Sequence, residues 1–315
     1  MNTTDQPTEK YQFAIALDWE YDWDFIRLLE QEARGKNIST YIIWPENLPE
    51  TLQDLKNNKL HFDYLLDRTS YDFPENADLQ ILVLEKKGRI FEPLDSLIWA
   101  SDKATMHLEF IANGLHTPYT IILPPFNSME ELRISVADLA HLGRAFIIKP
   151  ANTTGGGIGV VQGAETLQDI LEARRFYRED KYLLQEKIIP MEADRRRFWF
   201  RGFYSCGLVQ CAWWNDLTHL YQELQDWEIE RYELQPIFSI VTQIARISKL
   251  RFFSTEIAVV GPGEFIIVDY VNEACDMRMK SRHTDGVPDE IVRNSARKIV
   301  EFVEEQLKQQ DHSDK

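Results

Sequence analysis

The sequence predicts an α/β protein: an N-terminal α/β domain built on a parallel sheet, then a mixed α+β module in two lobes. Three observations lead there. Across the first hundred residues, short apolar runs alternate with segments of helical period, the pattern of βαβ units. In the middle, a glycine-dense loop, KPANTTGGGIGV (residues 149–160), separates two apolar runs. Near the end, two further apolar runs flank Gly261-Pro262-Gly263, which reads as a hairpin turn. With 315 residues and a 44% hydrophobic share, the chain can bury a sizeable core. The expected divisions are residues 1–100, 101–184 and 185–310.

Taken in order, Phe13–Leu17 reads as a buried strand. Asp22 or Asp24 can cap a helix with Phe25, Leu28, Leu29 and Ala33 on one face and Gly35 as its stop. Tyr41–Trp44 is a second strand and Leu52–Leu55 a short helix; Phe62–Leu66 and Leu79–Leu84 are further strand candidates. Asp102 caps a helix carrying Ala104, Leu108 and Ile111 that closes at Gly114. Ser128 and Glu131 form a capping box for a helix through Leu132, Val136 and Leu139. The glycine loop follows, and Thr166 caps the next helix. Tyr182–Gln185 is a strand, and Phe198–Phe203 pairs with Gly207–Trp214 as an antiparallel ribbon. A helix through Ile237, Val241 and Ile244 leads to strands Ser254–Val260 and Phe265–Val271, and a last helix carries Val292, Ile299, Val303 and Leu307.

The charge balance narrows the function. Lys plus Arg number 35 against 51 Asp plus Glu, a net charge of −16, which disfavours nucleic acid and anionic membrane surfaces. A polyanionic ligand must therefore be held locally, by placed Lys, Arg or metal. No run approaches the roughly 20 apolar residues of a membrane helix, and the polar N-terminus has no secretory pattern. Cys206, Cys211 and Cys275 form no CxxC pair; on a shared strand, Cys206 and Cys211 would face opposite ways. A reducing, cytoplasmic setting is the expectation.

Three stretches can carry chemistry. Gly155, Gly156 and Gly157 can turn several N–H groups toward one anion, and Lys149 can add an ammonium; a hairpin with an exposed lysine accounts for the same residues. No Gly-Lys-Ser/Thr follows, so this is not a Walker A loop. LLQEKI (183–188) is a strand running into an extended polar segment, able to offer backbone groups and Glu186 to a base edge, or simply a strand end. In STEIAVVGPGEFIIVDYVNEACDMR (254–278), Glu256, Asp269 and Asn272 are hard oxygen donors of the kind Mg2+ takes, while Arg278 offers Asp269 an ordinary ion-pair partner. Asp18, Glu20, Asp22 and Asp24 crowd the end of the first strand, where they fit helix capping and a solvated face better than an amine site. Arg68, at another strand end, is available to an anionic group.

In this order, the stretches resemble the ATP-grasp family from about Asp102 to Glu304. DKATMHLEFIANGLHTPYTIIL is similar to its lysine-bearing helix and the Gly114–Pro118 turn; FIIKPANTTGGGIGV, LLQEKI, ADRRRFWFRG and TEIAVVGPGEFIIVDYVNE resemble its lid loop, hinge, Asp-x-Arg segment and closing hairpin. The resemblance implies a pre-grasp domain before a two-lobed grasp, with ATP and one or two Mg2+ (or Mn2+) as cofactors. Lys103 and Lys149 would hold the α- and β-phosphates. Glu186, with the backbone of Lys187 and Ile189, would read adenine, and Asp194, or Glu192, would take the ribose. Glu256, Asp269 and Asn272 would bind metal. Arg196 or Arg251 would neutralise the γ-phosphate or an acyl phosphate, and Arg278 and Arg282 would lie near the acceptor, with Cys275 close by. The implied activity is an ADP-forming carboxylate–amine ligase acting on small molecules, with a grasp kinase or a non-catalytic nucleotide-binding module as alternatives; a homodimer is compatible with the family.

One departure carries a structural expectation. The family pattern is Glu-x-Asn, whereas Asp269-Tyr270-Val271-Asn272 is one residue longer, so a β-bulge is needed to keep both donors on one face. The small-residue turn that follows is also replaced, by Glu273–Arg278.

Overall fold

The computed structural model describes residues 9–71, 73–128, 132–153 and 157–313. The first part is a βα alternation: β1 (Glu9–Ala16), α1 (Trp23–Gly35), β2 (Thr40–Ile43), α2 (Leu48–Lys56), β3 (Leu60–Asp67), α3 (Asp78–Glu85) and β4 (Arg89–Ile90). Its sheet is parallel, in the order β2-β1-β3-β4. The expected strand at Leu79–Leu84 is helix α3 instead. Leu79, Leu82 and Val83 are buried while Ile81 and Leu84 are exposed, a helical spacing. A six-residue run that is apolar but for Gln80 is ambiguous by period alone, and a parallel strand after β3 needs a crossover, which this run supplies. The strand comes after Gly88, where an added Cβ would lie 2.4 Å from Phe62 O.

Asp22 does not cap α1 through its side chain. It is buried and grips Arg68, which reaches it through Nε at 2.6 Å and Nη2 at 3.0 Å and also donates to Cys275 O at 3.3 Å. The rings of Phe25 and Phe252 flank the guanidinium. Arg68 is thus a structural cation rather than one open to a substrate. Asp24 pairs with Arg282.

Two helices, α4 (Leu94–Ser101) and α5 (Lys103–Ala112), lead to the second unit. Asp102 caps α5 as the sequence indicated, accepting from Thr105 N at 3.0 Å. An antiparallel sheet follows, from β5 (Thr120–Leu123), β6 (Phe146–Pro150), β7 (Val161–Ala164) and β8 (Tyr182–Gln185) in the order β5-β8-β6-β7, with α6 (Val136–Leu142) and α7 (Leu167–Ala173). Leu123, Phe146, Ile148, Ile170, Tyr182 and Leu184 form its own core. Thr166 and Asp169 make the expected capping box on α7. That of α6 is Ser135 and Asp138, not Ser128 and Glu131: the helix starts later than the apolar spacing indicated, and Glu131 lies outside the described residues.

The third sheet is antiparallel. The hairpin strands β9 (Glu192–Ala193) and β10 (Arg196–Arg197) precede β11 (Trp199–Ser205), β12 (Leu208–Trp214), β13 (Tyr221–Glu223), β14 (Phe252–Gly261) and β15 (Glu264–Asn272), ordered β13-β12-β11-β14-β15. Helices α8 (Asp226–Arg231) and α9 (Gln235–Ser248) lie between β13 and β14, and α10 (Asp289–Ser313) closes the chain. Ile237, Val241 and Ile244 of α9 pack with Phe200, Phe253 and Ile257 of this sheet. Val292, Ile299 and Val303 of α10 share a core with Phe13, Ile15, Phe25 and Phe252, so the last helix joins the parallel sheet to the third sheet. Cys206 sits in the β11–β12 turn at φ 49°, ahead of Gly207 at φ 96°, and so shares no strand with Cys211; all three cysteines are free. Among the described residues, no helix is long and apolar enough to cross a membrane.

Candidate functional site

A row of charge crosses three neighbouring strands of the third sheet. Arg201 on β11 stands opposite Glu256 on β14, which stands opposite Asp269 on β15. Arg201 Nη1 donates to Glu256 Oε1 at 2.9 Å and Trp199 Nε1 to Oε2 at 3.0 Å; Arg201 Nε also reaches Ser254 Oγ at 3.2 Å. The hairpin is irregular in the expected place. Ser254 pairs with Asn272 and Glu256 with Asp269, so three residue steps on β15 match two on β14. That bulge absorbs the extra residue of Asp269-Tyr270-Val271-Asn272 and returns Asn272 to the face of Asp269.

Two lysines meet this row. Lys149, at the end of β6, is 7% exposed; its Nζ donates to Val268 O at 3.1 Å and lies 5.2 Å from the Tyr270 ring centroid. Lys103 opens α5, and its backbone N donates to Ala151 O at 3.1 Å, which ties the helix start to the strand bearing Lys149. The charges of this group act on one another. Burial pushes the Lys149 ammonium down to about 8, with Lys103 adding to the fall and Asp269 and Glu256 opposing it. Burial alone would raise Asp269, but Lys103, Lys149 and Arg201 together hold its carboxyl below the usual range. Glu256 is raised, by burial and by the charge of Asp269, against the pull of Arg201. Two like charges facing each other are thus driven apart in acidity. Three cations against two carboxylates leave a local positive excess in a chain of net charge −16, the condition for holding a polyanion.

The glycine loop leaves β6 beside Lys149. Gly155 and Gly156 lie outside the described residues, whereas Gly157 is left-handed at φ 77°. Gly159, at φ 78°, has no room for a side chain: a Cβ would stand 2.9 Å from Tyr177 Cε2 and 3.2 Å from Pro150 Cγ. Asp180 clamps the base of the loop, accepting from Asn152 N and Thr153 N at 2.9 and 3.1 Å and from both side chains.

At the hinge, Gln185 ends β8 and residues 187–190 carry no regular structure before Met191 N bonds Val259 O on β14. Lys187 and Ile189 lie in that segment, exposed. Glu186 does two jobs with Tyr119: its N donates to Tyr119 O at 3.0 Å and its Oε1 accepts from Tyr119 N at 2.7 Å. It also borders a cleft of 450 Å3 with His107, His116, Thr117 and Ile266. Asp194 occupies the tight β9–β10 turn with Arg195, both at positive φ (53° and 62°), as a two-residue type I′ turn requires. Its carboxylate holds Arg231 and Tyr232, and Glu192 holds Arg197.

Arg196, Arg251 and Arg278, three of the arginines singled out from sequence, have other partners. Arg196 pairs with Glu228 and lies over Trp213; Arg278 pairs with Asp276 and Asp285 and lies over Trp19 and Tyr21. Arg251 donates to Phe91 O at 2.9 Å and stands 3.6 Å from Glu92 Oε2, at the seam between the parallel sheet and β14. Cys275 is buried, where burial pushes its thiol up to about 12.

Glu92 at that seam has a consequence for stability. Its Oε1 accepts from the backbone of Arg251 and Phe252, but Oε2 is buried with no hydrogen-bond partner, and burial raises the carboxyl to about 7. A folded pKa above the unfolded one means that stability is full below the unfolded value and falls as pH rises toward 7, by an amount on the order of 3 kcal/mol. Glu92→Gln keeps the Oε1 acceptor without the charge. It is expected to unfold at higher urea than wild type at pH 8, and at the same urea at pH 4.5. Parallel pH dependence in the two proteins would contradict this.

Arg201, Trp199 and Asp180 could not be singled out from local sequence. A polar residue in the otherwise apolar run FWFRGF was the available signal for Arg201, but its partner is set by strand register.

No protein-family model and no curated protein sequence matches this chain, but solved structures do. A D-alanine–D-alanine ligase from Bacillus anthracis, complexed with ATP, superposes over 96% of this chain and 99% of its own at a TM-score of 0.66 and 12% identity. A RimK domain ATP-grasp protein from Sphaerobacter thermophilus covers 92% and 98% at 0.61 and 17%. The ATP-grasp ligase PsnB, complexed with a minimal precursor, Mg and ADP, covers 94% and 98% at 0.59 and 12%. The architecture common to these proteins and this chain is the ATP-grasp fold.

Proposed function

We propose that this chain, built on the ATP-grasp fold, is an ATP-dependent ligase that activates a substrate carboxylate as an acyl phosphate and passes the acyl group to an amine. The observation that carries the reading is the meeting of Lys149 and Lys103 with the Arg201–Glu256–Asp269 row, where the lid sheet faces the closing hairpin. It is supported by the nucleotides in the similar structures, ATP in one and ADP with Mg in another. The donor set fits Mg2+: two paired carboxylates and one amide oxygen on a single face leave the other positions to water and phosphate. Bound there by Glu256, Asp269 and Asn272, Mg2+ would supply charge neutralisation for the phosphates.

The chain's own groups divide the remaining work. Lys149 and Lys103 take up phosphate charge, and Arg201 orients Glu256 and opposes the rise that burial imposes on its carboxyl. Asp180 holds Asn152 and Thr153 where the glycine loop begins, and the loop backbone at 157–160 would cover the phosphates and keep water from an intermediate that hydrolyses. A carboxylate oxygen attacks the γ-phosphorus and ADP leaves; the amine then adds to the acyl carbon, loses a proton, and expels phosphate as the amide forms. Binding of adenine at the hinge and of ribose near Asp194 belongs to the same proposal, as do the three-part division of the chain and a small-molecule carboxylate and amine as substrates. Purified protein given Mg·ATP and pools of amino acids and short peptides should release one phosphate and one ADP per amide formed. A phosphorylated product without free phosphate would identify a kinase, and nucleotide binding with no turnover on any pool would identify a binding module.

A further inference from the structure

Tyr270 lies in the stretch of the closing hairpin that holds the surplus residue, between the pairs Glu256–Asp269 and Ser254–Asn272. Its side chain is fully buried, between α5 and the end of β8. Its hydroxyl is held from two sides: His107 Nδ1 lies 2.6 Å away and Gln185 Nε2 donates at 2.8 Å, while Gln185 Nε2 also reaches Thr120 Oγ1 at 3.1 Å. Phe110 packs edge-on against the ring at 5.3 Å between centroids. The ring is therefore fixed in place by its rim, and it is the ring that lies 5.2 Å from Lys149 Nζ. His107 is kept neutral at this spot, since burial and then Lys149 lower its pKa to about 4. Among the described residues, no second cation lies over this ring.

Resting on the nucleotide reading of the site, we propose that Tyr270 is a positioning residue for Lys149: clamped by His107 and Gln185, it holds the ammonium over its ring and aims it at the phosphates. Two properties of the position favour this role. A desolvated ammonium facing an aromatic ring gains more than an exposed one, and Lys149 is almost wholly buried. A long lysine side chain also has many rotamers, and binding of phosphate gains when only one is populated beforehand. The ring and the Val268 carbonyl, two residues apart on the same strand, each contact Nζ. The clamp further ties the hinge to the metal hairpin, because Gln185 is the last residue of β8 and Tyr270 immediately follows Asp269.

The test is the affinity for Mg·ADP and Mg·AMPPNP, by calorimetry, in full-length wild type, Tyr270→Phe and Tyr270→Leu, with thermal unfolding as the control for folding. Phenylalanine keeps the ring but not the clamped hydroxyl, so it should rescue part of the loss: the leucine variant should bind about tenfold more weakly than the phenylalanine variant. In a Lys149→Met background the two should bind alike, because no ammonium remains to be positioned. A purely structural role for Tyr270 would instead give the same leucine–phenylalanine difference in both backgrounds. If the leucine variant does not fold, Tyr270→Met fills the space with a flexible chain and serves the same comparison. Wild type that binds neither nucleotide would overturn the nucleotide reading and this proposal with it. Wild type that binds, with leucine, methionine and phenylalanine variants binding equally, would overturn the positioning role alone.

Discussion

Lys149→Met is expected to cut ATP turnover by at least about 10^2–10^3-fold, the usual cost of losing one preorganised group that meets developing charge, while leaving the protein as stable as wild type or more so. The two halves of this expectation have one cause. The ammonium is 7% exposed, and burial lowers its pKa to about 8, so the fold gives up free energy to keep it charged there. Methionine occupies a similar volume without needing solvation, so that cost disappears. Asp269 loses one of the three cations that hold its carboxyl down, but Lys103 and Arg201 remain. A residue kept for packing would show the opposite pattern, with activity and stability falling together. Phosphate release and thermal unfolding on the same preparations check it. Wild-type turnover in a folded variant would remove Lys149 from the site.

What could be read from sequence was local, and what could not was set by register. The cap at Asp102, the capping box at Thr166 and the strands around Gly261-Pro262-Gly263 each depend on neighbours a few residues away, and they appear where spacing put them. The bulge in β15 was legible for a similar reason: one surplus residue between two donors has one cheap solution in a hairpin. Helix α3 was not legible as a helix, because Leu79–Leu84 has no polar face and only the demand for a crossover decides between helix and strand. In isolation Arg68 looks available to an anionic group and Asp22 looks like a cap or a solvated acid. They neutralise each other inside a core made of residues from both ends of the chain.

The arginines carry the same lesson into the site. Arg196, Arg251 and Arg278 stood out because they lie in suggestive motifs, yet each has an acidic partner elsewhere. Arg201 stood in a strand pattern marked only as a polar residue in an apolar run, and the pairing of β11 with β14 puts it against Glu256. A buried row of alternating charge is costly unless each member is paired. Placing one across three strands that also hold hydrophobic α9 on their other face therefore points to chemistry on the charged side.

Asp269→Ala is expected to abolish turnover, and its effect on nucleotide binding should reverse sign with magnesium. In chelator, Asp269 and Glu256 face the same space that the phosphates would enter, so removing one carboxylate removes a repulsion. Asp269→Ala should then bind ADP at least as tightly as wild type. With millimolar Mg2+, wild type should gain affinity, because its paired carboxylates and the Asn272 amide form an oxygen site on one face. The variant, left with Glu256 already held by Arg201 and Trp199, should gain little. Lys149, Lys103 and Arg201 would meanwhile lose the anion they share, so the metal-free affinity for phosphate should rise further as ionic strength falls. Titration of ADP into both proteins, with and without Mg2+ at two salt concentrations, reads all three effects. Equal enhancement by Mg2+ in wild type and variant would show that Asp269 is not a metal ligand, and would leave the row as an ion-pair network beside the nucleotide.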